Sequence, residues 1–200
     1  MAKIVPALSI AAVIVGSLSV GAVRSGSVAA EPGVAWGPCP AAPGVTLDPR
    51  QECATIEVPL DYQQPAGQQI SLAISRVKTA TPRLRRGVLL LIPGGPGNPG
   101  LNRPSTHGRK LPPEVLDRYD IVGFDPRGVG QSTPVSCELL PQDAGPLGFL
   151  PWPGPGGDIS GNVARARRVA AACARNGGAL MRHITTRNEA RDIDQIRLTL

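Results

Sequence analysis

The chain has 200 residues, 42% of them hydrophobic, which is enough to bury the core of one domain. Its formal charge of +6 raises nucleic acid as a partner, but the basic residues are scattered apart from Arg83, Arg85 and Arg86, and aromatic residues for base stacking make up only 3%. Nucleic-acid binding is therefore set aside, and 24 glycines with 22 prolines fall short of the composition of a disordered chain.

Lys3 leads into an apolar run of small residues over 4–23, and Val28-Ala29-Ala30 has the small-x-small pattern of a signal-peptidase site before Glu31. Residues 1–30 are thus expected to be an export signal and residues 31–200 the mature, extracytoplasmic chain. Pro6 and the serines and glycines of the run make it a weak membrane span, so no stable membrane anchor is expected. Export makes Cys39, Cys53, Cys137 and Cys173 legible as disulfide candidates, since disulfides persist outside the cytoplasm. Four cysteines allow three pairings, and the sequence alone does not choose among them. A Cys39–Cys53 bridge would close a short loop, contributing about 3 kcal/mol by chain-entropy reasoning; Cys137–Cys173 would then staple the Pro/Gly-rich segment between them. No C-x-x-C spacing occurs and His107 and His183 lie far from the cysteines, so a metal site is not expected.

A Pro-rich lead containing Trp36 and Cys39 precedes the first periodic stretch. Residues 54–60 alternate, with Ile56, Val58 and Leu60 on one face, and Pro59 marks an edge position. After the turn at 61–67, a second alternating run carries Ile70, Leu72, Ile74 and Val77, so the two predict an antiparallel pair. Gly87-Val88-Leu89-Leu90-Leu91-Ile92 is a continuous aliphatic run and predicts a strand of a parallel sheet buried on both faces. Prolines 99, 104, 112 and 113 forbid a long helix before residues 114–118. Residues 119–125 predict the next strand, ending on Asp125, and residues 126–132 a tight turn at its carboxyl end. Residues 141–161 read as a Pro/Gly-rich loop or the start of a cap insertion. Residues 162–176 predict a helix with Val163, Ala166, Val169, Ala170 and Cys173 at helical spacing and Gly177 as its stop. A last helix opens with a capping box of Thr186 and Glu189 and repeats Ile193, Ile196 and Leu200 on one face. The chain stops in mid-pattern, and a longer protein is expected.

The loop Pro93-Gly94-Gly95-Pro96-Gly97 at the carboxyl end of the aliphatic strand is the strongest candidate site, because open α/β sheets bind ligands at that edge. Gly95-Pro96-Gly97-Asn98-Pro99-Gly100 matches G-x-G-x-x-G. A pyrophosphate cradle, however, needs free N–H groups and a helix directly behind them. Pro96 and Pro99 remove two donors and Pro104 blocks the helix, so no dinucleotide or other cofactor is expected. No Gly-Lys-Ser/Thr follows to make a Walker loop. The remaining use is an oxyanion hole, with the amides of Gly94 and Gly95 facing the oxygen that becomes negative when a carbonyl is attacked.

This loop, together with Tyr119-Asp120-Ile121-Val122-Gly123-Phe124-Asp125-Pro126-Arg127-Gly128-Val129-Gly130-Gln131-Ser132, resembles the prolyl and tripeptidyl aminopeptidases of the α/β-hydrolase fold. The lead with Cys39 and Cys53, the run Val58-Pro59-Leu60-Asp61-Tyr62 and the Thr185-Thr186 helix resemble their secreted bacterial members. The resemblance implies an α/β fold: the amino-terminal part of a hydrolase sheet, its first strands antiparallel and the following ones parallel with helices. It implies Gly94 and Gly95 as oxyanion donors, Gly94 preferred because Pro93 stands where many relatives carry histidine. It also implies Asp125, Arg127, Gly128 and Gly130 as a structural turn held by an Asp125–Arg127 ion pair, and a peptide with a free amino terminus as substrate. The family's nucleophile sits in Gly-x-Ser-x-Gly. No serine here has that setting, so no catalytic residue is expected within these 200 residues and the chain alone is expected to be inactive. Ser132 follows G-x-G and reads as a turn residue, and His107 and His183 read as loop residues. An esterase of the same fold and a non-catalytic secreted domain are the alternatives.

Overall fold

The computed structural model describes residues 33–144 and 152–200. The expected export signal, and residues 145–151 of the Pro/Gly-rich segment, lie outside them. Among the described residues no helix is long and apolar enough to cross a membrane.

One sheet of five strands has the order β1-β2-β3-β5-β4. The two alternating runs form β2 (Glu52–Pro59) and β3 (Gln69–Val77), antiparallel over their whole length with Ile56 opposite Leu72 and Val58 opposite Ile70. A two-residue β1 (Gly37–Pro38) pairs only with Cys53 and Glu52, so β2 is an edge strand where Pro59 stands, as that proline requires. Beyond β3 lies β5 (Tyr119–Phe124), antiparallel to it, and then β4 (Gly87–Leu91), parallel to β5. The sheet is mixed as expected, but β4 departs from the reading of a strand buried on both faces. All five of its residues are only half-buried and Ile92 is exposed. Its one strand neighbour is β5, and Val88 and Leu90 pack into the core from one side only.

Period-two alternation puts Val58, Ile70, Leu72, Ile74, Val122 and Phe124 on one face, each at most 3% exposed. Helix α5 (Thr186–Thr199) covers it, contributing Ile196 with Ile193 and Leu200, the stripe expected from the sequence. The opposite face is polar where the short helix α1 (Arg103–Thr106) lies against it: Ser75 Oγ donates to Leu101 O at 2.5 Å, Gln51 Nε2 donates to the same carbonyl at 3.1 Å, and Ser105 Oγ donates to Gln51 Oε1. Proline in its first turn is compatible with this helix, but it ends after one turn. The helix expected at 114–118 is likewise a single turn, α2 (Pro113–Leu116), and Pro141–Ala144 forms another, α3.

The long helix α4 (Ser160–Asn176) begins two residues before its expected start. Its stop is Gly177, whose N–H donates to Cys173 O at 2.9 Å, while the left-handed residue is the following Gly178. Of the three pairings open to four cysteines, the structure has Cys39–Cys53 and Cys137–Cys173. The β1–β2 register places Gly37 against Cys53 and so brings the lead alongside, with Trp36 stacked under the Arg76 guanidinium at 3.8 Å. The second bridge ties the end of α4 to the chain after the turn, beside a bond from Asn176 Nδ2 to Cys137 O.

Candidate functional site

The glycine loop leaves β4 and lies beside the turn at 126–130 that leaves β5, because parallel neighbours deliver their carboxyl ends to the same edge. Between the two loops and the start of α5 is a groove of about 800 Å³. Its floor and walls include Gly94, Gly95, Gly128, Gly130, Arg127 and Glu189, so the residues singled out in the two loops converge on one cavity except Asp125, which lies beneath it.

Asp125 is 1% exposed and holds the two loops together through main-chain amides. Its Oδ1 accepts from the N–H groups of Gly100 and Leu101, both at 2.8 Å, and its Oδ2 from that of Gln131 at 2.8 Å. Gly130 is the residue that lets the turn close over it: φ is +57°, and a Cβ there would stand 2.1 Å from Asp125 Oδ2. Ser132 completes the turn, its hydroxyl donating to Asp125 O at 2.6 Å and accepting from Ala73 N at 3.0 Å. Both roles of that hydroxyl are structural, as its sequence setting predicts.

The expected Asp125–Arg127 ion pair does not form. Arg127, 2% exposed, turns the other way and meets Asp192 of α5, Nε to Oδ2 at 2.7 Å and Nη2 to Oδ1 at 2.6 Å. Its remaining donors reach the carbonyls of Leu60 at 2.9 Å, Pro59 at 3.2 Å and His183 at 3.3 Å. All five N–H groups of the guanidinium are thereby used. Tyr62 also donates to Asp192 Oδ1, at 2.7 Å, and burial followed by that bond holds its phenol above the ordinary tyrosine pKa. The network pins the middle of α5 to the β2–β3 turn and the β5 turn at once. A sequence signal for Asp192 did exist: it lies four residues from Asn188 and from Ile196, on the buried stripe of α5, where a carboxylate needs a partner.

The capping box expected from Thr186 and Glu189 is displaced by one residue. Thr185 is the N-cap, in extended conformation, and its Oγ1 accepts from Asn188 N at 3.2 Å. Glu189 therefore faces the groove without a capping duty. Burial, and then the charge of Asp192, push its carboxyl above the ordinary glutamate pKa, with Arg127 opposing.

Gly94 and Gly95 are exposed at the groove, and among the described residues neither N–H donates to an internal acceptor. Gly95 has φ +133°, outside the range of L side chains, and a Cβ there would meet Asn98 at 3.1 Å. The loop thus leaves two main-chain donors without internal partners on the groove wall. His107 lies elsewhere, exposed on α1's end with Nδ1 at 2.9 Å from Thr106 Oγ1, and His183 contributes its carbonyl, which accepts from Arg127, Asn188 and the N–H of Thr185. No cluster of three or more metal-ligating side chains occurs among the described residues.

Comparison with known proteins gives this geometry a family. The profile of the alpha/beta hydrolase fold matches residues 87–199, the stretch from β4 through α5. The chain is 40% identical over 189 residues to a tripeptidyl aminopeptidase of Streptomyces lividans, covering 90% of this chain and 34% of that protein. It is 37% identical over 149 residues to carboxylesterase B of Mycobacterium tuberculosis, covering 72% of this chain and 28% of the relative. Serine protease Hip1 of Mycobacterium tuberculosis is 30% identical over 197 residues, 96% of this chain and 38% of the relative. The chain spans about one third of the length of these curated relatives. With its sheet order, its paired loops at one edge and a match over more than half its length, the chain belongs to the α/β-hydrolase fold family.

Proposed function

We propose that these residues build the oxyanion side of a serine-hydrolase site that releases short peptides from free amino termini, the activity named for the Streptomyces relative. The observation that carries the reading is the pair of unpartnered amides, Gly94 and Gly95, on a groove at the carboxyl edge of the sheet. Donors held in place before the reaction stabilise the negative oxygen of the tetrahedral intermediate without reorganising. Here the flanking prolines restrict the backbone beside them, and the Asp125 clamp fixes the far end of the loop at Gly100 and Leu101. Serine attack, with histidine as base and acid and an acid orienting it, would complete acyl transfer. The family's Gly-x-Ser-x-Gly is not found in these 200 residues, so the proposal assigns the nucleophile to residues outside them. On the same reading residues 1–30 serve as an export leader, and residues 141–161 as a Pro/Gly-rich loop or the start of a cap insertion.

An esterase uses the same oxyanion geometry, as the carboxylesterase relative warns; higher identity over more of the chain favours the peptidase. The test is made on the product of the whole coding sequence. Tripeptide p-nitroanilides with a free amino terminus are expected to turn over, and the secreted form is expected to begin at Glu31. The 200-residue chain itself is expected to take no fluorophosphonate label. A labelled serine among these residues, or turnover of acyl esters with none of peptide amides, overturns the reading.

A further inference from the structure

The groove holds a carboxylate that makes no side-chain hydrogen bond or ion pair among the described residues. Two charged side chains line it, Arg127 and Glu189. Arg127 is saturated, with every N–H directed at Asp192 or at a main-chain carbonyl, so it has no donor to offer an incoming anion. Asp192 is saturated too, both oxygens being taken by Arg127 and one also by Tyr62. These two charges cancel. Glu189, half-buried on the same wall, accepts no hydrogen bond among the described residues, because Thr185 and Asn188 carry out the helix cap. Nearby Arg191 is engaged with the Tyr62 ring at 5.5 Å.

A protein of net charge +6 thus carries an unpaired carboxylate inside its main groove, opposite walls of glycine, proline and apolar side chains. Partial burial without a partner is unfavourable for an ionised carboxylate. Perturbed, unpartnered acids in a cleft are candidates for function.

We infer that Glu189 is the groove's cation-recognition residue, receiving a substrate ammonium while the glycine-loop amides receive the oxygen of the attacked carbonyl. This rests on the proposed hydrolase reading and deepens it. The groove is then a dipolar complement to a peptide end, with donors on the glycine wall and an acceptor on the α5 wall. The raised carboxyl described above agrees, since a bound cation relieves both the desolvation and the repulsion from Asp192. The ammonium belongs either to the peptide amino terminus or to a basic side chain, and the test separates them.

The 200-residue chain, its Glu189→Gln variant and its Glu189→Asp variant are titrated with Ala-Ala-Ala-amide, its N-acetyl form and N-acetyl-Ala-Ala-Lys-amide, reading the amide resonances of Gly94, Gly95 and Gly97. The unblocked peptide is expected to bind the natural chain about tenfold more tightly than its acetylated form. Glu189→Gln removes that preference and Glu189→Asp keeps most of it. Preference for the lysine peptide over both others assigns the cation to a side chain. Equal binding by the natural and Gln chains, equal binding of blocked and free alanine peptides without a lysine effect, or no binding by any of the three peptides overturns the inference. The hydrolase reading fails separately: Glu189-dependent binding with no peptide turnover by the whole protein sinks the reaction alone, whereas turnover with kcat/KM unchanged by Glu189→Gln sinks this assignment alone.

Discussion

Replacing Asp125 by Asn tests the claim that one buried carboxylate joins the glycine loop to the following turn. The carboxylate accepts three main-chain N–H groups, two at Oδ1 and one at Oδ2. An amide of the same shape has one acceptor oxygen. Set toward Gly100 and Leu101, it keeps two bonds and points its NH2 at the N–H of Gln131, donor against donor. One bond to a charged acceptor is lost, roughly 1.5–3 kcal/mol, the two retained bonds weaken, and the freed N–H of the exposed Gln131 turns to water. The expected loss is about 2–4 kcal/mol, a sizeable share of the ~5–15 kcal/mol that holds a domain folded. Urea unfolding measures the total, and an unchanged slope would show that the same surface is exposed on unfolding. Hydrogen exchange gives the local signature: protection falls first at Gly100, Leu101 and Gln131. A loss under about 1 kcal/mol, or unchanged protection at those amides, would refute the clamp.

Breaking the Arg127–Asp192 pair from one side should be more damaging than removing both partners. Asp192→Ala leaves a guanidinium that is 2% exposed without its carboxylate, a loss of about 3–5 kcal/mol, whereas Arg127→Met with Asp192→Leu should lose much less than the sum of the singles. Strict additivity in that cycle would contradict the pairing. For Glu189 the fold raises the carboxyl pKa, so the folded state holds its proton more tightly than the unfolded state. Its contribution is present below the ordinary glutamate range, about pH 4.3, and is lost as pH rises through the raised value. Glu189→Gln should therefore raise Tm at neutral pH, with the difference shrinking in acid. A lower Tm at pH 7 would mean that Glu189 has a partner that stabilises its ionised form.

Much of the scaffold was legible because its signals are local. Alternation at Ile56, Val58, Ile70, Leu72 and Ile74 follows from the period of a strand, and it named the buried face before any neighbour was known. The glycine loop declared itself through residues that only a tight, close-approach backbone needs, and strand polarity put it at the carboxyl edge of the sheet. Ser132 was likewise readable as a turn residue from its place after two glycines. Where several local choices were nearly equivalent, tertiary context decided. Thr185 and Thr186 are both competent caps, and taking the first released Glu189 into the groove.

The sequence by itself determined the four longer strands, the order in which they occur, the two loops that meet at one edge and the lack of a nucleophile motif among these residues. Each is a property of a short window; the two-residue β1 carried no periodic signal. Only the tertiary structure decided the partners. Arg127 joined Asp192, 65 residues away, and not Asp125, two residues away, and the cysteines paired Cys39–Cys53 and Cys137–Cys173. A charge or a thiol carries its chemistry in the chain, but which opposite group it meets depends on how α5, α4 and the lead pack against the sheet. A buried guanidinium goes where all five of its donors find acceptors, and that place exists only once those elements have met.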